Sequence, residues 1–236
     1  MIKYLKLLRV EQWVKNFFVF IPLFFSGNIT HPHFLVKSVF AFIVFSLIAS
    51  SIYILNDYKD IEADQKHPEK KDRPLANGSI SKTTALFLFT TLISAVAMLV
   101  FFGQEYFHKN LWKFAVIIGS YFIMNLAYTF RLKHVAIVDI FIIAIGFVLR
   151  VLAGGYATGI KISQWAILLT FVLALVLAVG KRRGELINAA ISGKTRKALD
   201  GYNVQFADIV LSISVTLAVI CYLMFTLTPE VQERFG

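Results

Sequence analysis

Charged residues are scarce in this sequence, at 16% of 236 residues, whereas hydrophobic residues make up 58%. A soluble domain of this length could not cover so much apolar surface with so few polar side chains. Cysteine is almost absent, since the single Cys221 lies within an apolar run, which excludes a disulfide framework and a thiolate metal site. The scarcity of charge beside so many hydrophobic residues indicates a polytopic helical membrane protein.

Long apolar segments predict seven membrane spans. Stretches such as 83–102 and 209–228 hold 20 residues without a charge, which is enough to cross the hydrocarbon core of a bilayer. The first span contains Lys15 and Pro22, and its "FIPLFFSGNIT" offers no small-x-small cleavage site, so we expect it to be retained. The predicted spans are about 13–29, 34–55, 83–102, 111–130, 135–153, 163–180 and 208–228.

The positive charges are unevenly distributed along the chain. With the N-terminus in the cytoplasm, 18 of the 24 lysines and arginines fall on the cytoplasmic side, most of them in the N-terminal segment and in the loops 56–82 and 181–204. This is the positive-inside pattern. The net charge of +10 is therefore explained by the orientation of the protein in the membrane and does not indicate nucleic-acid binding. We expect a multi-pass protein of a prokaryotic plasma membrane, with its N-terminus and any active site at the cytoplasmic face.

A cluster of carboxylates follows the second predicted span, in the motif "NDYKDIEAD". On a continuous helix Asp57, Asp60 and Asp64 share one face, and Glu62 lies on the opposite side. Their mutual repulsion, of a few tenths of a kcal/mol per pair, is explained if a Mg²⁺ ion on a phosphorylated substrate lies between them. Asn56 is then an amide donor or a water-mediated metal ligand. The alternative is a solvated acidic helix end.

These residues carry a family resemblance. "NDYKDIEAD" resembles the NDxxDxxxD signature of the UbiA superfamily of intramembrane prenyltransferases, and "KKDRPLANGSIS" resembles its R-P-L-x-x-G-x-I-S continuation. "EQWVKN", "YTFRLKH" and "GFVLRVLAGG" extend the resemblance over nearly the whole chain. It implies an all-α membrane bundle of nine helices around a central cavity, with polar caps over its cytoplasmic mouth. Since seven spans fit, we expect residues 1–236 to form a single transmembrane catalytic domain that lacks two C-terminal helices.

The sequence departs from the superfamily after the sixth span. Most members carry a second aspartate-rich motif there, whereas this chain reads "AVGKRRGELINA". Guanidinium and ammonium groups bind phosphate, although Lys181, Arg182 and Arg183 are equally explained as a positive-inside anchor. With "EQWVKN" and "YTFRLKHVAIVD", this motif resembles the decaprenyl-phosphate phosphoribosyltransferase branch. That branch implies transfer of 5-phosphoribose from phosphoribosyl pyrophosphate (PRPP) to a polyprenyl phosphate, releasing pyrophosphate, in the synthesis of lipid-linked cell-envelope precursors.

The resemblance also implies roles for individual residues. Asp57, Asp60 and Asp64 would hold Mg²⁺ on the donor diphosphate, while Lys133 and Asp139 complete the catalytic set. Independently of the resemblance, Asp139 is an ionisable residue inside the fifth predicted span, which favours a functional role; we expect it to pair with Lys133 or Arg131, or to accept from ribose hydroxyls. The expected substrate-binding residues, several of which would serve equally as interfacial anchors, are Lys15, Asn16, Asn56, Arg73, Tyr128, Arg131, Lys181, Arg182 and Arg183.

Two other functions stay open at the level of sequence. A UbiA-type prenyltransferase acting on an aromatic or lipid acceptor would carry a second DxxxD motif in the 181–204 loop, where the acids are Glu185 and Asp200. A transporter or flippase would place polar groups near the bilayer midplane, whereas here they collect at one face. The sequence also leaves open a homo-oligomer.

Overall fold

The computed structural model describes residues 2–107, 111–192 and 201–235, and within these ranges the chain is helical and contains no strand. The α-helices are α1 (Ile2–Leu8), α2 (Ile21–Phe25), α3 (Pro32–Lys59), α4 (Ile61–Gln65), α5 (Lys82–Phe107), α6 (Leu111–Phe130), α7 (Val138–Thr158), α8 (Gln164–Ser192), α9 (Val204–Thr226) and α10 (Pro229–Phe235). In the same described ranges the chain also forms 3-10 helices at Val10–Phe20 and Leu132–His134.

Six of these helices are long and apolar enough to cross a membrane, namely α3 and α5 to α9. They coincide with the second to seventh predicted spans, and α6 has the bounds predicted for the fourth. The prediction of an all-α, multi-pass membrane fold is therefore confirmed.

The first predicted span, 13–29, takes a different form. It is divided between the 3-10 helix and α2, which begins at Ile21, carries Pro22 in its first turn and ends at Phe25. Because a 3-10 helix rises about 2.0 Å per residue, the 11 residues of Val10–Phe20 extend roughly 22 Å. Proline favours a new helical start at this point since it has no N–H to donate to the preceding turn.

The sixth predicted span is longer than expected. Lys181, Arg182 and Arg183 were predicted to lie in a cytoplasmic loop, but α8 continues through them to Ser192. "KRRGELINAA" contains no proline, and its single Gly184 costs only about 1 kcal/mol in a helix, so local propensity sustains the helix. Residues 193–200 of the predicted 181–204 loop, including Asp200, lie outside the described residues.

The chain divides into two compact units. The first unit comprises Met1–Thr129 and Leu152–Ile160, and within it α3 packs against α5, α1 and the 3-10 helix. The second unit comprises Phe130–Val151 and Lys161–Gly236, and within it α8 packs along α9. Each unit has its own apolar core. The single transmembrane catalytic domain expected for residues 1–236 stays a prediction.

A close backbone approach organises part of the first unit. A Cβ atom added to Gly154 of α7 would lie 1.9 Å from the carbonyl oxygen of Val19 in the 3-10 helix, and Val19 is fully buried. Such a separation is far inside van der Waals contact, so the helix can approach this closely only where the side chain is a hydrogen atom. Gly154 therefore fixes the position of the 3-10 helix.

We expect Gly154→Ala to lower the thermal unfolding temperature of the detergent-solubilised protein. Overpacking of this kind costs about 1–3 kcal/mol, because either the 3-10 helix or α7 must move. Gly119→Ala is the matched control, since a Cβ there meets nothing within 4 Å and alanine improves helix propensity. Equal unfolding temperatures for the two variants would show that the close approach does not matter.

Candidate active site

The candidate site begins where α3 ends. The helix stops at Lys59, and Asp60 follows with φ −96° and ψ 10° before α4 begins at Ile61. The N–H of Asp60 still donates to the carbonyl of Asn56 (3.0 Å), and the N–H of Asp64 donates to the carbonyl of Asp60 (2.8 Å). Helical hydrogen bonds therefore continue on both sides of a local break at Asp60, which keeps the carboxylates of this motif at one end of α3.

Two buried carboxylates share one arginine at this break. Nη1 of Arg73 donates to Oδ1 of Asp57 (3.2 Å) and to Oδ2 of Asp64 (2.6 Å). Arg9 donates through Nη2 to the same Oδ1 of Asp57. Asp57 and Asp64 are only 2% and 3% exposed. Arg9, Asp57, Asp64 and Arg73, which we call the arginine–aspartate network, thus carry two negative and two positive charges in a largely desolvated place.

A structured turn holds Arg73 in position. The N–H of Asn77 donates to the carbonyl of Arg73 (2.9 Å), and the N–H of Ile80 donates to that of Pro74 (3.1 Å). Gly78 supplies the positive φ of 73° that closes the turn. Below it, apolar side chains from α1, α3, α4, α5 and the turn form one buried cluster: Leu7, Ile54, Ile61, Leu75, Ile80 and Ala85.

Arg9 is a site residue that sequence reasoning missed. It lies between α1 and the 3-10 helix in the left-handed region, with φ 49° and ψ 50°, and its guanidinium lies 4.8 Å from the ring centroid of Tyr53. In the sequence it is one of several positive charges of the N-terminal segment. Nothing in the local sequence distinguishes it from Lys3 or Lys6, because its partner Asp57 is 48 positions away in the chain.

A second contact supports Asn56. The hydroxyl of Thr129, near the end of α6, lies against the side-chain oxygen of Asn56 and donates to the carbonyl of Asn125 (2.7 Å). Nζ of Lys59 donates to the carbonyl of Thr129 (2.9 Å), and Thr129 is fully buried. The ends of α3 and α6 are therefore joined beside the carboxylates. Thr129 was also missed by sequence reasoning, whereas its half-buried neighbour Tyr128 was predicted.

The donor set of this site suits magnesium, with one correction. Among the described residues no group of three acidic, histidine or cysteine side chains is placed to hold a metal ion, and the three aspartates do not share the one continuous helix on which their common face was predicted. The cause is the break at Asp60, which ends α3. Asp57 and Asp64 nevertheless provide two carboxylates at one place, and Mg²⁺ takes one or two carboxylates together with substrate phosphate oxygens. A role of Asp60 as a third ligand stays a prediction.

The 3-10 helix separates two residues that were predicted to act together. Residues three apart lie above one another in a 3-10 helix, so Trp13 and Asn16 face α3, where they donate to Ser50 and Ser46 at 3.0 Å. Asn16 is 1% exposed, while Lys15 is exposed on another face. This placement favours a packing role for Asn16 and leaves phosphate binding by Lys15 as a prediction.

The second unit contains a separate buried polar network centred on Asp139. Oδ2 of this carboxylate accepts from Nε of Arg182 (2.8 Å), and its Oδ1 accepts from the hydroxyl of Tyr202 (2.5 Å). Arg182 also donates to Glu185 (2.5 Å), and the N–H of Ile137, whose φ is 71°, donates to the Tyr202 oxygen (2.7 Å). Burial, together with the hydrogen bond to Asp139, raises the pKa of Tyr202 above its usual value, so the phenol stays protonated and continues to donate.

This network changes the interpretation of several predicted residues. Asp139 lies in the first turn of α7 and is paired with Arg182, and the expected pairing with Lys133 or Arg131 stays a prediction. Arg183 is paired with Asp208. Two members of the predicted phosphate cluster therefore have carboxylate partners, which favours structural roles for them.

The remaining predicted cations have less defined roles. Lys181 and Arg131 are exposed, and Lys133 is half-buried in the 3-10 turn. Phosphate binding by these residues stays a prediction.

We expect Tyr202→Phe to lower the unfolding temperature, because it leaves a buried carboxylate oxygen of Asp139 and the N–H of Ile137 without this partner. A buried group left unsatisfied costs about 1–3 kcal/mol. Tyr222→Phe removes the same hydroxyl from an exposed position on α9 and should leave the unfolding temperature unchanged. An unchanged temperature for Tyr202→Phe would show that the phenol does not support the fold.

Comparisons with known proteins identify relatives of this chain. The sequence profile described as the UbiA prenyltransferase family matches residues 17–182. The chain is 40% identical over 223 residues to the decaprenyl-phosphate phosphoribosyltransferase of Mycolicibacterium smegmatis, covering 92% of this chain and 68% of that protein. It is 37% identical over 226 residues to the protein of the same name from Mycobacterium tuberculosis, covering 92% of this chain and 71% of the relative.

A solved structure shares the fold. A UbiA homologue from Archaeoglobus fulgidus, bound to DMAPP and Mg²⁺, superposes with a TM-score of 0.71 at 19% sequence identity, covering 98% of this chain and 81% of that one. The family profile covers residues 17–20 at the end of the 3-10 helix, the arginine–aspartate network except Arg9, and the Asp139–Arg182 pair. The chain belongs to the UbiA prenyltransferase family.

Proposed function

We propose that this protein transfers 5-phosphoribose from PRPP to a polyprenyl phosphate such as decaprenyl phosphate, and releases pyrophosphate. The observation that carries this proposal is the 37–40% identity, over 92% of the chain, to relatives named decaprenyl-phosphate phosphoribosyltransferase. The arginine–aspartate network supports it, because it combines metal-binding carboxylates with cations that suit phosphate oxygens.

In this proposal the donor diphosphate binds at the end of α3. Asp57 and Asp64 would hold Mg²⁺ beside Asn56, whose side-chain oxygen contacts the Thr129 hydroxyl. When bound, the ion would neutralise the negative charge that develops on departing pyrophosphate. Arg73 forms salt bridges with the same two carboxylates. A diphosphate bound to a metal ion at these carboxylates would therefore be within reach of its guanidinium group. The A. fulgidus structure, bound to DMAPP and Mg²⁺, supports magnesium as the metal.

The reaction needs no strong base from the protein. The bond between the anomeric carbon and the diphosphate oxygen breaks, and an oxygen of the acceptor phosphate forms the new bond to that carbon. Since a phosphate monoester is anionic at neutral pH, it attacks without first losing a proton to a side chain. The work of the site is to position both substrates and to stabilise the charge on the leaving group.

A prenyl transfer is the second candidate. It is favoured by the family match and by the DMAPP bound to the A. fulgidus homologue. It would need a second acidic motif after the sixth span, where this chain has "GKRRGEL". In the described part of that region, Glu185 is paired with Arg182, which does not favour a second metal site.

We further propose that the site faces the cytoplasm of a prokaryotic cell, with the protein in the plasma membrane. The excess of lysine and arginine around the 56–82 loop supports this orientation. PRPP is a charged, water-soluble donor, so its binding site must open to the aqueous side on which it is made. The loop that carries Arg73 would then cover the site from the cytoplasm.

Asp57→Asn and Asp64→Asn should each lower transfer at least about 100-fold, because an amide has no negative charge to hold the metal. The assay uses membranes with Mg²⁺, labelled PRPP and decaprenyl phosphate, and it measures label in the lipid fraction. Glu62→Gln is the control, since Glu62 is exposed on α4 and should retain wild-type activity. Prenyl transfer by the wild type from geranylgeranyl diphosphate, without ribose transfer, would favour the second candidate.

The orientation is tested with single cysteines in a Cys221→Ser background. Glu69→Cys places a thiol on the exposed 56–82 loop, and Thr30→Cys places one before α3 at the other end of that helix. In intact cells a membrane-impermeant maleimide should label the second variant and should label the first only after permeabilisation. The opposite pattern would place the site outside the cytoplasm.

A further inference from the structure

The arginine–aspartate network is already charge-balanced without a metal ion. Oδ1 of Asp57 contacts two guanidinium groups, those of Arg9 and Arg73, and Oδ2 of Asp64 contacts the second of them. Two carboxylates therefore face two cations in a place where both acids are at most 3% exposed. Burying this set costs less than burying the carboxylates alone, since unpaired buried charges are strongly unfavourable.

This arrangement conflicts with binding of a bare metal ion. A divalent cation on Asp57 would take the oxygen that two guanidinium groups now contact, and it would leave the cluster with a net charge of two positive units. A diphosphate that enters with the metal reverses this imbalance, since it brings negative oxygens that can accept from the displaced arginine. The same arginine should therefore oppose the metal alone and favour the metal together with the donor.

We propose that Arg9 is a donor-binding residue, which pairs with Asp57 in the substrate-free protein and transfers to a diphosphate oxygen when the metal–donor complex binds. This inference rests on the proposed function, because it requires a diphosphate donor at this site. It adds to that site a residue from the N-terminal segment, outside the range that the family profile matches.

Arg9 is better suited to this exchange than Arg73. Arg73 bridges two carboxylates and belongs to a turn closed by backbone hydrogen bonds. Arg9 contacts one carboxylate, its side chain is 21% exposed, and its guanidinium lies over the face of Tyr53. An arginine over an aromatic ring keeps a favourable contact while its end group moves from one anionic partner to another.

The backbone of Arg9 is a second, independent indication. The left-handed region is unfavourable for a non-glycine residue, and such strained residues cluster at functional sites. Leu7 on one side of Arg9 is fully buried in the first unit's cluster, and the carbonyl of Leu8 accepts from the Ser50 hydroxyl (2.8 Å). These contacts hold α1 against α3 and impose the conformation that points Arg9 at Asp57.

The test compares two binding constants of the purified protein in detergent. Mn²⁺ binding is measured by electron paramagnetic resonance, first for the metal alone and then with PRPP. We expect Arg9→Gln to bind Mn²⁺ alone roughly tenfold more tightly, since a competing unit charge is removed next to Asp57. With Mn²⁺ present, the same variant should bind PRPP roughly tenfold more weakly, since a charge-assisted contact to the diphosphate is lost.

Two variants control the measurement. Lys6→Gln removes the same charge from an exposed position on α1 and should leave both constants unchanged. Arg9→Lys keeps the charge without the planar fork, so it should restore the weak binding of Mn²⁺ alone and restore PRPP binding only in part. If thermal unfolding shows that Arg9→Gln does not fold, Arg9→Lys tests the proposal instead. It should bind Mn²⁺ alone as weakly as the wild type does and bind PRPP more weakly than the wild type.

The opposite signs are what separate this inference from a structural role. If Arg9 only anchors α1, Arg9→Gln should bind both Mn²⁺ and PRPP more weakly. If Arg9 lies outside the site, both affinities should be unchanged. Either result overturns the proposal. If the wild type binds geranylgeranyl diphosphate and not PRPP, the proposed ribose transfer fails, and the same pair of measurements with that diphosphate still decides the role of Arg9. A wild type that binds neither diphosphate overturns both.

Discussion

A buried carboxylate at the end of a membrane helix is the constraint on which the first unit depends. Taking the charge of Asp57 out of water costs on the order of several kcal/mol unless it is paired, and in this protein the pairing comes from two distant segments. The N-terminal segment must fold back to bring Arg9, and the 73–80 turn must fold over to bring Arg73. The apolar cluster beneath them, which includes Leu7 and Leu75, contributes the burial that makes both folds favourable.

The 3-10 helix follows from the same requirement. It connects Arg9 to α2 while presenting Trp13 and Asn16 to serine hydroxyls of α3. Those serines supply polar partners inside a helix that is otherwise apolar enough to cross a membrane, where an unpaired polar group would be costly. Gly154 then allows a backbone approach to Val19 that no other residue permits. Packing of this segment therefore positions Arg9 and, through it, the candidate site.

The Asp139 network shows a different use of buried charge. Its carboxylate, guanidinium and phenol satisfy one another, and together they connect the start of α7, the polar end of α8 and the residue two positions before α9. The basic run after the sixth predicted span resembles a phosphate-binding cluster in the sequence. In the structure Arg182 and Arg183 pair with carboxylates, and Lys181 is exposed. A run of cations in a membrane protein thus cannot be assigned to a substrate until the acids that face it are known.

The sequence by itself determined the fold class, the membrane helices α3 and α5 to α9, the aspartate motif and the family, because these depend on apolar length and on short contiguous patterns. Tertiary structure alone decided that α3 breaks at Asp60, that α8 runs on to Ser192, and that Arg9 and Thr129 belong beside the aspartates. It also decided that Arg182 forms a salt bridge with Asp139. The reason is physical: ion pairs and hydrogen bonds between residues 43 to 73 positions apart depend on how helices pack, and a local pattern contains no information about a partner that only packing brings near.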